Sequence, residues 1–358
     1  MGKINMDSIK VPRNSNIEIL RCILMIFIVF YHLLVHGTNG TFNQFFEWQP
    51  LQTTKFEALF LLLATFPVDC FMIISGYYGI NILKNEKINI EKISKIYIPI
   101  FFYSVLFASI ALITHRIRII NYLYSFIPII QSNYWFASCY FVVLLLSPIL
   151  NYVFEQYKDK KIFITGFVII GIMNYLLTGS QFAELMGMSY NKLFMIVYCY
   201  FVGRFLKTYE AKINISKINC LLLFFGSLIF EYVLGLLSIK FVSKFIWVHL
   251  SLNSSPFTIL QATMVFLFFK NLKCFSNKAC NLIGSASFAV YLIHENSNIR
   301  KPLYSIINGG GYKDTVYLIP YLILCALIVF VVCIIIEIVR IYLFRVFKLL
   351  FMRGKEKS

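Results

Sequence analysis

Apolar runs of membrane-spanning length, separated by short polar segments, recur from one end of the chain to the other. The first, Ile19-Leu20-Arg21-Cys22-Ile23-Leu24-Met25-Ile26-Phe27-Ile28-Val29-Phe30-Tyr31-His32-Leu33-Leu34-Val35, is apolar between Arg21 and His32 except for the Cys22 thiol and the Tyr31 hydroxyl. Such a run predicts a membrane helix. Read in the same way, the chain predicts about ten spans, over roughly 16–36, 56–78, 94–114, 134–154, 162–178, 191–206, 219–239, 255–272, 281–298 and 316–344. The ninth is the least apolar and the last the longest. Ile119 to Ile130 is too short to cross and is broken by Pro128, so it reads as an interfacial or re-entrant helix. Phe241 to Leu252 reads as a second interfacial segment. The expected fold is therefore an all-α, polytopic membrane protein. It comprises an N-terminal segment over 1–14, a membrane domain over 15–346 and a basic tail over 347–358.

Composition agrees. Apolar residues make up 59% of the 358 and charged residues 14%, against roughly 25% charged in an ordinary soluble domain. The net charge of +17 would fit nucleic acid only on a soluble fold with a basic patch, so no nucleic-acid partner is expected. The basic residues instead gather on alternate connections: Lys84 to Lys95, Lys158 to Lys161, Arg204 to Lys217 and Lys270 to Lys278, with both ends of the chain. The other side receives Lys55, Arg116, Arg118, Lys192, Lys240, Lys244, Arg300, Lys301 and Lys313. By the positive-inside rule both termini are expected in the cytoplasm. No small-residue cleavage site follows the polar N-terminal lead, so the first run reads as an uncleaved helix. The nine cysteines are scattered, mostly within apolar runs and without metal-ligand spacing, and read as small apolar fillers.

Ionisable groups inside a membrane helix are costly and point to function. Eleven residues turn a helix by a net of about 20°, so Arg21 and His32 leave one face about 16 Å apart along the axis. Arg21 falls near the cytoplasmic interface, where snorkelling to lipid phosphates is the plain alternative. For His32 the plain alternative is a buried histidine bonded to a neighbouring helix. His36, one turn on, has no carboxylate or cysteine at helical spacing beside it, and no metal is expected. Glu18 is placed to hold Arg21. In the second span Asp69 is buried in apolar sequence, and Ser75-Gly76 offers either a hydroxyl near a site or a small-residue packing notch. Lys92 and Lys95 share a helical face at the cytoplasmic side, suited to a soluble polyphosphate or to lipid headgroups.

Arg21, ten residues and His32, within Ile17-Glu18-Ile19-Leu20-Arg21 to Phe30-Tyr31-His32, resembles the opening signature of the acyltransferase-3 family of integral-membrane acyltransferases. Further matches follow in order. Val68-Asp69-Cys70-Phe71-Met72-Ile73-Ile74-Ser75-Gly76-Tyr77 resembles its second-helix motif, and Lys92 to Pro99 its basic stretch ending in proline. Tyr134-Trp135-Phe136 through Tyr140, with Ser147-Pro148, resembles its tryptophan-phenylalanine motif. Ile283-Gly284-Ser285-Ala286-Ser287-Phe288-Ala289-Val290-Tyr291-Leu292-Ile293-His294 resembles its late segment. Glu18 stands where the family usually has aspartate, Met72 where it has phenylalanine, and Lys92 and Lys95 where arginines are common. Lysine keeps the charge and loses the bidentate fork.

The resemblance implies transfer of an acyl group, usually acetyl, from cytoplasmic acyl-CoA to a hydroxyl of an extracytoplasmic polysaccharide or lipid-linked glycan. It implies a multi-pass protein of the cell membrane, in contact with membrane lipids and in a bacterial setting. On it, Arg21, Lys92 and Lys95 bind acetyl-CoA as donor and His32 is the general base. Ser75, Trp135 and Tyr291 are candidate oxyanion donors, while Asp69, His294 and Glu295 orient other groups. The competing reading is a glycan exporter or flippase sharing the helices and buried charges; inverted repeats and pairs of interrupted helices would favour it, and the sequence carries no convincing internal repeat. Phe42, Phe45, Phe46 and Trp48 offer sugar-stacking platforms or plain interfacial anchors. The acceptor is left open.

Overall fold

The computed structural model describes residues 13–38, 54–84, 87–130, 134–177, 192–241, 255–313 and 315–355. Lys3 and Lys10, the aromatic run from Phe42 to Trp48, and all but the first residue of the Phe241–Leu252 segment lie outside the described residues.

The described residues are helical almost throughout. In order the helices are α1 (Ser15–His36), α2 (Thr54–Leu63), α3 (Pro67–Tyr78), α4 (Ile90–Ile113), α5 (Ile119–Tyr124), α6 (Trp135–Tyr157), α7 (Lys161–Leu177), α8 (Lys192–Thr208), α9 (Lys217–Phe241), α10 (Pro256–Lys270), α11 (Lys278–His294), α12 (Ser297–Ile307) and α13 (Leu318–Lys355). A two-residue antiparallel ladder, β1 (Leu83–Lys84) with β2 (Lys87–Ile88), precedes α4. Among the described residues six stretches are long and apolar enough to cross a membrane: Ser15–His36, Glu57–Tyr78, Ile90–Ile113, Trp135–Tyr157, Lys217–Leu237 and Leu318–Val346. The protein is thus a multi-pass membrane protein. The other four expected spans correspond to α7, α8, α10 and α11, each 15 or 17 residues long.

Two expected spans are broken. The stretch over 56–78 divides before Pro67, which opens α3. Proline there has no N–H to continue the helix, and the turn closes through the Thr65 hydroxyl on the Leu62 carbonyl at 2.7 Å. The stretch over 281–298 divides after His294. Asn296 caps α12 by accepting the Asn298 amide, so the chain turns at Glu295-Asn296.

α1 lies at the centre, packed against α3, α10, α11 and α13. Leu20, Leu24, Val29, Leu33 and Leu34 are wholly buried, whereas α7, α9 and α13 present exposed isoleucine, leucine and valine, as lipid-facing helices do. α1 and α11 run parallel. At one end the Asn277 amide donates to Ser15 Oγ at 2.8 Å, 262 residues apart in sequence. At the other end His32 meets His294 with the same separation of 262. Gly284 permits this close pairing, because a Cβ there would stand 2.5 Å from the Glu18 Cβ.

The pairing of α3 with α8 is tighter still. A Cβ on Gly76 would fall 1.9 Å from the Tyr200 carbonyl oxygen, and one on Gly203 would fall 2.2 Å from that of Ile73. Small residues on both helices let the backbones touch.

Candidate functional site

A cavity of about 390 Å³ opens beside the second half of α1, with His32, His36, Trp135, Tyr291, Glu295 and Arg300 among its lining residues. His32 comes from the fifth turn of α1. Opposite it, the end of α11 brings His294, and the turn between α11 and α12 brings Glu295.

The hydrogen bonds around His32 fix its tautomer. His294 Nδ1 lies 2.6 Å from the Val290 carbonyl oxygen, which can only accept, so that nitrogen carries a proton. In the neutral ring His294 Nε2 is then the acceptor. His32 Nδ1 sits 2.9 Å from it and must donate. The remaining nitrogen of His32, Nε2, keeps its lone pair. Glu295 Oε1 stands 3.5 Å from the same His32 Nδ1.

Glu295 is held in turn. The Tyr304 hydroxyl donates to Oε1 at 2.5 Å, and Arg300 lies 3.4 Å from Oε2. Behind this layer Asn296 donates to the Tyr134 hydroxyl, which donates to the Leu292 carbonyl at 3.0 Å. The break in the ninth span is thereby pinned to the start of α6. The same junction places Tyr291, whose oxygen accepts the Phe136 amide at 3.3 Å. That leaves its hydroxyl proton to donate elsewhere. Trp135 forms part of the wall, with the Lys192 ammonium 4.7 Å from its ring centre.

Ligand atoms of His32, His294 and Glu295 all lie within 4.8 Å of one another, close enough to hold a metal ion. An ion held through His32 Nδ1 and His294 Nε2, the pair joined at 2.9 Å, would replace the histidine–histidine bond.

The remaining predicted residues are spread over the molecule. Arg21 lies one turn from Glu18, its guanidinium 3.2 and 3.3 Å from the two carboxylate oxygens. Lys92 donates to the Asn81 carbonyl at 2.7 Å, and Lys95 pairs with Glu91 at 2.7 Å on the exposed start of α4. Their partners are not residues of α1. Ser75 donates to the Phe71 carbonyl at 2.9 Å, and Gly76 lies in the α3–α8 contact. Asp69 is fully buried in the first turn of α3, beside Thr258 and Cys199. None of Asp69, Ser75 and Gly76 lines the cavity.

Sequence reasoning passed over Tyr304, Asn296 and the siting of Arg300 and Lys192 at the cavity. The available signal was Asn296-Ser297, a helix-capping pair inside what reads as one span. Arg340, one of the basic residues counted at the C-terminal end of the chain, is buried, bonded to Glu337 at 2.6 and 2.7 Å, and Glu337 accepts the Tyr103 hydroxyl at 2.7 Å.

Compared with known families, residues 14–338 match the model of one described as an acyltransferase domain, nearly the whole chain. No curated protein and no solved structure matches the chain.

Proposed function

The chain belongs to the acyltransferase-3 family of membrane acyltransferases, and on that premise we propose that it transfers a short acyl group, acetyl by preference. The donor is acyl-CoA supplied from the cytoplasm, and the acceptor is a hydroxyl of an extracytoplasmic polysaccharide or lipid-linked glycan. The setting is a bacterial cytoplasmic membrane. The observation that supports this reading is the chain Val290 carbonyl, His294, His32, which leaves a lone pair on Nε2 of His32, a residue that lines the cavity.

In this mechanism His32 Nε2 takes the proton of the acceptor hydroxyl as its oxygen attacks the thioester carbonyl. The new imidazolium keeps its Nδ1–H on His294 and lies next to the Glu295 carboxylate, whose negative charge offsets the positive charge formed. The tetrahedral intermediate places its oxyanion near Tyr291, which can donate because its oxygen already accepts the Phe136 amide. Collapse breaks the carbon–sulfur bond, and His32 returns its proton to the departing thiolate. Atoms and charge balance without an acyl-enzyme and without a metal.

Arg21 is the donor's phosphate anchor, at the other end of the same helix face. About 16 Å separates it from His32, a gap that the narrow pantetheine arm spans while the nucleotide stays on the cytoplasmic side. Lys92 and Lys95, solvent-facing at the start of α4, attract the polyphosphate before it binds.

The test is acetyl-CoA consumption by purified protein with a glycan added. We expect turnover that depends on both and falls by at least ~10²-fold in His32→Ala. Near-normal transfer by that variant would remove His32 from the reaction.

A further inference from the structure

We propose that His32, His294 and Glu295 form a zinc site, and that zinc bound there switches acyl transfer off. The inhibition rests on the acyltransfer reading above; the binding does not.

The donor set is two imidazoles and a carboxylate. Magnesium and calcium take oxygen ligands, whereas zinc accepts this mixture of nitrogen and oxygen. A tetrahedral ion about 2.0–2.1 Å from each donor sets its ligand atoms about 3.3 Å apart. His32 Nδ1 already stands 2.9 Å from His294 Nε2 and 3.5 Å from Glu295 Oε1. The ligand atoms of the three residues all lie within 4.8 Å of one another, so small side-chain rotations bring them round an ion. Three protein ligands leave a fourth position for water.

The residues behind the donors are arranged in the same sense. A metal-binding histidine almost always donates its other ring N–H to a carbonyl or carboxylate. His294 does so through Nδ1, 2.6 Å from the Val290 carbonyl oxygen, and this presents the Nε2 lone pair. The Tyr304 hydroxyl steadies Glu295 Oε1 at 2.5 Å, and Arg300 lies 3.4 Å from Oε2. Oε1 keeps a second lone pair for the ion. His294 and Glu295 are both buried, while His32 and Glu295 line the cavity, which gives an ion a way in.

The effect on the reaction follows from the tautomer of His32. In the metal-free protein Nδ1 carries the proton and Nε2 the lone pair. Zinc needs the Nδ1 lone pair, so the neutral ring carries its proton on Nε2 instead. The ring neither gains nor loses a proton in this exchange. The nitrogen that would take the proton of the acceptor hydroxyl becomes an N–H donor. Removal of the ion restores the histidine–histidine bond and, with it, the base.

The experiment uses the full chain purified in lipid nanodiscs and treated with a chelator. The probes are Zn2+ and Co2+ alone, and turnover is read with acetyl-CoA and a glycan acceptor. Co2+ should bind and give the strong visible absorption of a four-coordinate ion, without the near-ultraviolet bands of thiolate ligation. Zn2+ should displace it. Glu295→Gln and His294→Leu should lose this spectrum. Tyr304→Phe, which leaves all three ligands in place, should bind Zn2+ ~10-fold more weakly. In the wild-type protein, Zn2+ should abolish transfer at the concentrations that fill the site, and chelator should restore it.

A six-coordinate spectrum, thiolate bands, or undiminished Co2+ binding in Glu295→Gln and His294→Leu would overturn the site. Should those two variants fail to fold, the wild-type spectrum and Tyr304→Phe decide, and an unchanged Zn2+ affinity in Tyr304→Phe would overturn it equally. Zinc bound at these residues with turnover unchanged would overturn the inhibition. An absence of transfer by the metal-free protein to any acceptor would instead refute the acyltransfer reading, with the zinc site still decided by the spectrum.

Discussion

His32 Nδ1 and His294 Nε2 lie 2.9 Å apart, joining two parallel helices 262 residues apart in sequence. Because the Val290 carbonyl fixes the proton on His294 Nδ1, this bond decides which nitrogen of His32 is basic. In the proposed reaction His294 would thus be a positioning residue that acts through His32.

Substitution of His294 should reveal that dependence. His294→Leu removes the acceptor and frees His32 to adopt either tautomer, with an expected loss of ~10²-fold in kcat and little change in acetyl-CoA KM. His294→Gln, whose carbonyl can still accept from His32, should recover part of the rate. Equal losses in the two variants, both of them folded, would show that the hydrogen bond is not what matters.

Arg21 belongs to the donor in this scheme. Arg21→Ala should weaken acetyl-CoA binding by ~10-fold, and added salt should weaken the wild-type protein in the same direction. Calorimetry that finds normal acetyl-CoA binding alongside lost turnover would reassign Arg21 to the chemistry.

Gly76 tests whether the second-helix motif serves packing or chemistry. A methyl there would stand 1.9 Å from a backbone oxygen of α8, which no side-chain rotation can relieve. Gly76→Ala should cost ~1–3 kcal/mol through separation of α3 from α8 and should lower the yield of folded protein. Unchanged thermal stability with a selective fall in kcat would place Gly76 in the site instead.

The parts of this architecture that were legible in sequence are those carried by local pattern. Apolar runs marked the spans, and Arg21 and His32 stood out because each is ionisable within one run. The site itself needed contacts between distant segments. Nothing in the sequence near His32 points to His294, because that pairing depends on the helix register set by Ser15, Asn277 and Gly284. The turn at Glu295 was hidden because Tyr291-Leu292-Ile293-His294 continues an apolar run, while only Asn296-Ser297 signals a cap. The split at Pro67 was similarly masked by the apolar residues on both sides. Buried Glu337 hides the role of Arg340, since a pair three residues apart looks the same at a surface as in a core.

Glu210 gives the fold an acid-sensitive staple outside the spans. Burial alone would raise its carboxyl, but Lys207, Lys270 and the Tyr77 hydroxyl outweigh it and hold the group down to about 2. Lys207 and Lys270 lie 2.8 and 2.6 Å away, linking the ends of α8 and α10. A carboxylate depressed in the folded state stabilises it above the ordinary value of 4.5, and that contribution fades as pH falls toward 2. With a third of the side chain exposed, the effect should be no more than ~1 kcal/mol. Thermal unfolding should therefore show Glu210→Gln less stable than wild type at pH 7, with the gap closing on acidification. A gap independent of pH would exclude the ion pairs as its cause.

Sidedness is the condition on which transfer across the membrane depends. Parallel α1 and α11 carry Arg21 toward one face and the His32–His294 pair toward the other. The charge pattern assigns the Arg21 face to the cytoplasm, with Lys160 on that side and the connection preceding α13 outside. Val316 in that connection is 85% exposed, and Lys160 is also exposed, so both suit chemical labelling. Single cysteines at Val316 and Lys160, in a background cleared of the nine native cysteines, should react with an impermeant maleimide from opposite sides in oriented vesicles. Lys160→Cys should label only from the cytoplasmic side and Val316→Cys only from the outside. Labelling of both from one side would require an even number of crossings between them. The donor and acceptor ends of α1 would then lose their assigned compartments, and the route by which the pantetheine arm meets an outer hydroxyl at His32 would fail.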